Sequence, residues 1–406
     1  MTFDPEQIET ELAEIQKRSS PTEARTVILN LLVVSDEESR PRAEQALGAV
    51  LGKRAARVIH IVDRQRGESD ISLSARCYLD HERKSVCFQE VLIENGADGV
   101  GAAPGSWTPL LIRDIPVYVL WLASFGPRPA LLDHVQEQAD KLIIDSEYAV
   151  AAGDTADEVF GAVSGVMLPE GFRISDLTWQ RTLPLRRVTA HTFDPEEHAR
   201  ALFDLESVEL SGAPPMFAAL YLGWIASRLG WQAGTPAGGG GEPRGDTDGH
   251  GGGTRDGAAE TRGGAGNPGR GGGEPRGDTD SPAAGGEADG PRGDADNPGA
   301  AVPGDGAFPG AGRAYLDRQG RAVQTLHREA ASLEERISVT FRFFEREAIG
   351  LSAEPGGCVS VTGTGTEVPC EVFGVAADGE MLLGEIDAAR NEGLYLAAFE
   401  AAWSSN

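Results

Sequence analysis

The sequence is poor in cysteine and in aromatic residues, and it has no long apolar run. Four cysteines in 406 residues are too few for a disulfide scaffold. No uninterrupted apolar run reaches about 18 residues, so we predict no transmembrane helix. The acidic first segment lacks the basic start and apolar centre of a secretory signal. Together these absences predict a cytoplasmic protein.

Positive charge is also scarce. Lys and Arg number 36 against 63 Asp and Glu, which gives a formal net charge of −27 at pH 7. Such a surface repels phosphate backbones and anionic lipid headgroups. We therefore predict that neither nucleic acid nor a membrane is a partner, whereas a protein partner stays open.

The short motifs of phosphate binding, metal binding and nucleophilic catalysis are missing as well. The first two predicted strands run into SDEESRP and DRQRGE, and neither supplies the glycine-rich turn of a nucleotide site. The Gly-x-Gly at 363–365 is better explained as a hairpin turn. The histidines show no metal-ligand spacing, and Ser146 lies in no G-x-S-x-G. We predict no catalytic residue, no cofactor and no metal.

The chain does contain apolar segments that alternate between strand and helix patterns. Residues 117–122 predict a buried strand, positions 131–139 a helix, and 141–145 a second strand that ends at Asp145 and Ser146. A strand, a crossover helix and a strand form a βαβ unit, which implies a parallel sheet.

The same pattern occurs nearer the N-terminus, where 26–34 and 57–63 predict strands on either side of a helix at 43–51. Residues 71–79 and 85–93 alternate like the two strands of a hairpin. We therefore predict an α/β fold whose N-terminal part has a mainly parallel sheet built from βαβ units.

Composition divides the chain into five segments. They are an N-terminal helix (1–24), an α/β domain (25–150), a mostly helical segment packed on it (151–232), a disordered Gly/Pro-rich linker (233–312) and a small α+β domain (313–406). The linker prediction rests on the octet GEPRGDTD, which occurs twice, and on the near absence of large apolar side chains.

Within the later segments the sequence predicts four helices and then a mixed tail. The helices are expected around 156–166, 177–187, 194–205 and 214–229. In the tail, the spacing of Leu326, Ala330, Leu333 and Ile337 predicts a helix. A strand at 339–343 and a closing helix at 387–403 follow.

The four cysteines fall into two pairs if each predicted hairpin turns at its centre. Cys77 then lies opposite Cys87, and Cys358 lies opposite Cys370. Cross-strand neighbours are close enough to respond to oxidation. The alternative is that all four are small buried hydrophobic residues. Both interpretations stay open.

Tryptophans and one basic cluster are the other candidates for function. Trp107, Trp121 and Trp179 lie in aliphatic surroundings that suit either a core or an interface. Arg181 and Arg186 belong to the stretch WQRTLPLRR, where arginines could clamp a carboxylate or phosphate, or pair with the chain's own acids.

Five blocks in a fixed order resemble one known family. They are RTVILNLLVV, VCFQEVLI, PLLIRDIPVYVLW, ADKLIIDS and DLTWQRTLPLRRVTAHTFD, and they resemble the glucose-6-phosphate dehydrogenase assembly protein family OpcA. The positions of these motifs, as core or partner interface, are Trp107, Pro109, Leu110, Asp114, Pro116, Trp121, Asp145, Ser146, Trp179, Arg181 and Arg186.

The resemblance implies a non-catalytic subunit that binds the oligomeric dehydrogenase of the oxidative pentose phosphate pathway and favours its active, high-affinity state. In some relatives the effect is tied to redox state, which gives the cysteine pairs a role to test. The alternative is a sugar-phosphate-binding protein or enzyme. It would use Asp145, Ser146 and the arginines at the carboxyl edge of the sheet, where open α/β folds place ligands.

Overall fold

The computed structural model of the chain describes residues 4–19, 27–51, 53–79, 85–126, 130–166, 173–233, 313–330, 335–365, 367–374, 377–388 and 393–403. The predicted linker at 233–312 lies outside these ranges except for its first residue. The described residues form two seven-stranded sheets with helices packed around them.

The helices of the described part are α1 (Pro5–Ser19), α2 (Arg40–Val50), α3 (Pro104–Trp107), α4 (Ala130–Gln138), α5 (Ser146–Ala151), α6 (Ala156–Val166), α7 (Leu177–Arg181), α8 (Leu183–Thr192), α9 (Glu196–Ala201), α10 (Pro215–Leu229), α11 (Asp378–Asp387) and α12 (Gly393–Trp403). Two short 3-10 helices are η1 (Thr108–Leu110) and η2 (Leu202–Asp204).

The strands are β1 (Leu29–Asp36), β2 (Ala56–Asp63), β3 (Asp70–Leu79), β4 (Ser85–Asn95), β5 (Val117–Trp121), β6 (Lys141–Ile144), β7 (Arg173–Asp176), β8 (Leu205–Ala213), β9 (Gln232–Ala233), β10 (Ala314–Leu316), β11 (Ala322–Glu329), β12 (Ile337–Phe343), β13 (Ile349–Ala353), β14 (Gly357–Cys358), β15 (Ser360–Thr362) and β16 (Val372–Phe373).

The first sheet has the order β3-β4-β2-β1-β5-β6-β7. All neighbours pair in parallel except β3, which pairs with β4 as an antiparallel edge. The central strands are buried on both faces, which is why they consist of nearly continuous apolar residues. This confirms the predicted α/β class with a mainly parallel sheet.

The parallel strands of this sheet follow the doubly wound order. Starting from β1 the chain adds β2 and β4 on one side, then returns to add β5, β6 and β7 on the other. The order therefore reverses between β1 and β5. In open α/β sheets such a switch point, at the carboxyl ends of the strands, is where ligands usually bind.

Two hydrophobic cores cover the two faces of the first sheet. One contains α1, α6 and α12, with Trp121, Trp179 and Phe399 among its fully buried side chains. The other contains α2 and α11, packed on the opposite faces of the same strands through residues such as Leu47 and Leu382. Helices from the end of the chain thus cover both faces of a sheet formed by its beginning.

The second sheet has the order β15-β13-β12-β8-β11-β10-β9. Its strand β8 pairs in parallel with β11 and antiparallel with β12, so chain segments from before and after 234–312 share one sheet. The division into five segments stays a prediction. Within the described residues, however, strands after 313 share the second sheet with β8 and β9, and helices α11 and α12 pack against the first sheet.

Helix α10 lies between the two sheets. Its residues Met216 and Leu220 belong to the first core, whereas Phe217 and Tyr221 belong to the core of the second sheet. The sequence predicted a helix at 214–229, which α10 confirms. Burial on two sides explains why its pattern is apolar nearly all round.

Several predicted elements differ from the structure. The spacing of Leu326 and Ala330 predicted a helix, but β11 is a strand because its alternate residues Val323 and Thr325 face the core while Leu326 faces out. The helix predicted at 194–205 is shorter, as α9, and strand β8 follows it.

Two further helix predictions also differ in their boundaries. The helix predicted at 177–187 is divided into α7 and α8, since Pro184 starts a new helix at its first turn. The helix predicted at 387–403 corresponds to α12, and Asp387 is instead the last residue of α11, which the sequence analysis did not predict.

The cysteine registers were predicted correctly for one pair. Cys77 is paired with Cys87 across β3 and β4, and Cys77 is disulfide-bonded. The other register was wrong: Cys358 of β14 pairs with Val372 of β16, two residues beyond the expected partner. Cys358 and Cys370 are nevertheless joined by a disulfide, with their Cα atoms 5.1 Å apart.

Candidate functional site

Two aspartates follow neighbouring strands at the carboxyl edge of the first sheet. Asp145 follows β6 and is the N-cap of α5, and Asp176 ends β7 and is the N-cap of α7. Each accepts a hydrogen bond from a backbone N–H in the first turn of its helix, from Tyr148 at 3.2 Å and from Thr178 at 2.8 Å. The strand-to-helix turn therefore fixes both carboxylates at one edge.

Asp145 lies in a four-membered charge cluster with Arg42, Arg181 and Asp378. Arg181 donates from both terminal nitrogens to Asp145, at 2.8 and 2.7 Å, and one of them also donates to Asp378 at 2.9 Å. Arg42 donates to Asp145 from Nη2 and to Asp378 from Nε. Each arginine thus binds both aspartates. We refer to these four residues as the charge ring.

The charge ring is largely buried, and its positive and negative charges balance. The side chain of Asp145 is 0% exposed and that of Arg181 is 7% exposed. Two guanidinium groups hold the pKa of Asp145 well below its usual range, in spite of the burial that opposes ionisation. The two carboxylates in turn raise the pKa of Arg181. The two arginines and the two aspartates of the ring bring its formal charge to zero.

Two neighbouring carboxyl groups have the opposite shift. Burial raises the pKa of Glu147 to about 7, although its Oε2 accepts from the backbone N–H groups of Met216 and Phe217 at the start of α10. Burial raises the pKa of Asp176 to about 6, helped by the charge of Asp145. Glu147 and Asp176 therefore change protonation closer to neutral pH than Asp145, whose pKa is lowered.

The charge ring lies at the switch point. Arg42 belongs to the first turn of α2, after β1, and its guanidinium carbon lies 4.1 Å from the ring centroid of Tyr148 in α5. The bond from Arg42 to Asp145 thus joins the segment after β1 to the segment after β6, on either side of β5. The place where a doubly wound fold receives a ligand holds the chain's own paired side chains.

Helix α11 is held at both ends. Asp378, at its start, belongs to the charge ring. Near its other end, Glu385 accepts from the buried Nζ of Lys141 at 2.5 Å, and Lys141 also donates to the carbonyl of Glu385 at 2.8 Å. Gly379 fits against α2, where an added Cβ would lie 2.2 Å from that of Ala49. Buried ion pairs and close packing therefore seat this helix on the sheet.

The motif positions predicted from the sequence lie in three different places. Asp145, Ser146 and Arg181 meet at the carboxyl edge. Four large apolar positions are fully buried or nearly so, namely Trp107, Leu110, Trp121 and Trp179. Pro109 is exposed in η1, and Asp114 and Pro116 are exposed in the segment between η1 and β5.

Arg186 lies apart from the ring. Its guanidinium carbon is 3.4 Å from the ring centroid of Trp179, and its Nε donates to Thr182 at 2.8 Å. The neighbouring Arg187 is exposed and pairs with Glu371 at 3.2 Å. Only Arg181 of the basic cluster therefore reaches the sheet edge.

The sequence analysis missed Arg42, Asp378 and Glu147. Arg42 could have been noticed from one weak signal. It is a basic residue in the first turn of a helix that follows a buried strand, where the helix dipole favours acidic residues. Asp378 had none, since it is 233 residues from Asp145 in the chain and belongs to a helix that was not predicted.

No helix among the described residues is long and apolar enough to cross a membrane. In the same part of the chain, no group of three or more His, Cys, Asp or Glu side chains is arranged to hold a metal ion.

Fold and site together define a doubly wound α/β protein, joined to a second mixed sheet, whose switch point is occupied by paired charges of the chain itself. Residues 48–159 match the family model described as the glucose-6-phosphate dehydrogenase subunit N-terminal domain. Residues 173–254 match the model described as the C-terminal domain of that subunit. Over these two ranges, which together make up less than half of the chain, the chain is similar to the OpcA family.

Two cyanobacterial relatives are named OxPP cycle protein OpcA. The one from Synechocystis sp. is 26% identical over 213 residues, which cover 50% of this chain and 44% of that protein. The one from Synechococcus elongatus is 28% identical over 196 residues, which cover 46% of this chain and 43% of that protein. The matched part thus spans less than half the length of these relatives.

Solved structures with some likeness include two myo-inositol dehydrogenases. The enzyme from Lactobacillus casei, solved with NAD(H) and myo-inositol, has a TM-score of 0.34 at 10% identity, over 94% of this chain and 88% of that chain. The enzyme from Corynebacterium glutamicum has a TM-score of 0.34 at 8% identity, over 92% and 94%. These scores are too low to support any inference about function.

Proposed function

We propose that this protein is a non-catalytic subunit that binds glucose-6-phosphate dehydrogenase and promotes its active, high-affinity state. The names of the matching family models supply the partner. The structural observation that carries the proposal is the charge ring, because it occupies the switch point with two arginines and two aspartates that form ion pairs with one another.

Because the four charges of the ring are paired with one another, converting the ring into a ligand site costs free energy. A phosphate or nicotinamide cofactor would have to displace Asp378 or Asp145 from two arginines at once, and breaking a buried pair by removing one partner costs about 3–5 kcal/mol. An arrangement of this kind fits a role in holding α2, α5, α7 and α11 together. It supports a fold that presents a surface to a partner protein.

The effector role has a defined energetic requirement. The subunit must bind the active conformation of the dehydrogenase more tightly than the inactive one, since equal affinity would shift nothing. A coupling free energy of about 1–3 kcal/mol changes the apparent substrate affinity about 5–150-fold. A change of this size in KM is readily measured.

The test measures the initial rate of the same organism's dehydrogenase against glucose 6-phosphate, with and without this protein. Serum albumin at equal mass concentration is the control for nonspecific effects, and a sizing run of the mixture reports complex formation. We expect co-elution together with a lower KM or a higher rate. Unchanged kinetics and separate elution would refute the proposal.

A second candidate, a sugar-phosphate-binding protein or enzyme, is favoured by one observation: Arg42 and Arg181 converge at the carboxyl edge. Their neutralisation by Asp145 and Asp378 argues against it. Calorimetric titration of the isolated protein with glucose 6-phosphate separates the two candidates. Binding by the wild type that strengthens in Asp378→Asn, where one carboxylate charge is removed from the arginines, would establish the second candidate.

A further inference from the structure

A small apolar cavity opens on the side of the second sheet's core, away from the charge ring residues. It has a volume of about 180 Å³ and lies between α8, η2, α10 and β12. Phe193, Leu202, Trp224 and Phe341 are among the residues that line it. Trp224 is partly buried and packs against the cores of both sheets, which holds the wall in place.

Two exposed aromatic side chains adjoin this cavity through η2. Phe203 follows the lining residue Leu202 and is 56% exposed, and Phe344 is 55% exposed. The backbone N–H of Phe344 donates to the carbonyl of Asp204 at 3.2 Å, which places both aromatic residues beside η2. They are the aromatic members of the exposed large hydrophobic set in the described residues. We call the cavity with Phe203 and Phe344 the η2 surface.

One positive charge lies at the rim of the cavity. Arg228 in the last turn of α10 is exposed and lines the opening. Within the described part of the chain it forms no ion pair, although acids outnumber bases in the whole protein by 27. An apolar cavity beside an arginine without an ion-pair partner favours a ligand that places an apolar group in the cavity and a negatively charged group next to the arginine.

The size of the cavity decides between a small molecule and a side chain. Sites for cofactors and metabolites are usually about 300–1,000 Å³. A cavity of about 180 Å³ is smaller than this and suits one leucine or phenylalanine side chain. Buried aromatic and arginine contacts of this kind are enriched at the centres of protein interfaces, and exposed apolar patches mark such interfaces.

We infer that the η2 surface is the docking site for the dehydrogenase, which inserts an apolar side chain into the cavity and presents a neighbouring carboxylate to Arg228. This inference rests on the proposed function for the identity of the partner. It adds the place of contact and the chemistry that recognises it.

The first test fills the cavity. Ala190 lies at its rim on an exposed position of α8, so Ala190→Glu adds a good helix former that blocks the opening and neutralises Arg228. Gln45→Glu, at an exposed position of α2, adds the same charge elsewhere. The full-length variants are titrated onto the immobilised dehydrogenase by surface plasmon resonance. We expect Ala190→Glu to weaken binding about 10-fold or more and Gln45→Glu to leave it within about twofold.

A second pair of variants keeps the test decisive if Ala190→Glu lowers stability. Phe203→Ser removes an exposed aromatic ring that contributes little to the fold, and Leu326→Ser removes an apolar side chain that is 41% exposed on β11. We expect weaker binding for Phe203→Ser and unchanged binding for Leu326→Ser. Far-UV circular dichroism confirms that both variants are folded.

The charge contact is tested by Arg228→Glu against Arg18→Glu, which makes the same change at an exposed position of α1. We expect only Arg228→Glu to weaken binding and to reduce its dependence on salt. If the wild type binds and the three variants Ala190→Glu, Phe203→Ser and Arg228→Glu bind equally well, the η2 surface is not the docking site. The proposed function would then still stand. No binding by the wild type would overturn both.

Discussion

Replacing Arg181 by methionine should strongly destabilise the protein, because it removes the bidentate partner of a carboxylate that is fully buried. Asp145 would keep only Arg42 and its uncharged donors, among them the hydroxyl of Thr178 at 2.9 Å. Removing one partner of a buried pair costs about 3–5 kcal/mol. Since Arg42 remains, we expect a loss near the lower end, about 3 kcal/mol.

The matched control is Arg187→Met, only six residues further along the chain. Arg187 is 54% exposed and pairs with Glu371 at 3.2 Å, so its loss should cost about 0–1 kcal/mol. Urea unfolding followed by tryptophan fluorescence measures both, and Trp179 lies close to the site. If the two variants differ by less than about 1 kcal/mol, the charge ring does not stabilise the fold in the way described.

Three further predictions concern stability. Because burial raises the folded-state pKa of Glu147 to about 7, its stabilising effect is complete below about pH 4.5 and is lost as the pH rises through 7. The free energy of unfolding of Glu147→Gln, measured with urea, should therefore exceed that of the wild type by about 1–3 kcal/mol at pH 8 and equal it at pH 4.5. The same difference at both pH values would contradict this explanation. Gly223→Ala would place a Cβ 2.2 Å from a carbonyl oxygen of α12 and should cost at least about 1–3 kcal/mol, whereas Gly48→Ala, with open space around it, should be neutral or stabilising in the same thermal unfolding series. The double variant Cys358→Ser, Cys370→Ser should lose about 2–3 kcal/mol of unfolding free energy without reductant. That difference should vanish in dithiothreitol, and if it persisted the disulfide would not be its cause.

Local patterns were enough to predict the first sheet. The continuous apolar residues of β1 and β2 and the spacing on α2 carry their own periodicity, and parallel pairing follows from the βαβ order. The cross-strand pairing of Cys77 with Cys87 was also predicted correctly, because the register of a hairpin depends on its turn, which is a local feature.

Prediction failed where the tertiary context overrode local spacing. Leu326 and Ala330 fit a helix pattern, yet β11 is a strand because β8 offers it a parallel partner from more than 100 residues earlier. Cys358 lies in β14, which pairs with β16, whereas the residues just after it form β15 and pair with β13. The segment therefore does not form one symmetric hairpin, and the predicted partner was wrong.

The sequence by itself determined the class of fold, the resemblance to the OpcA family and the presence of Asp145, Ser146 and Arg181 as positions of interest. Only the tertiary structure decided what Asp145 and Arg181 do. Their charges are neutralised by Arg42 and Asp378, which lie 103 and 233 residues from Asp145 along the chain. Charge pairing over such separations leaves no periodic signal, because it depends on how the chain returns to the first sheet rather than on any local pattern.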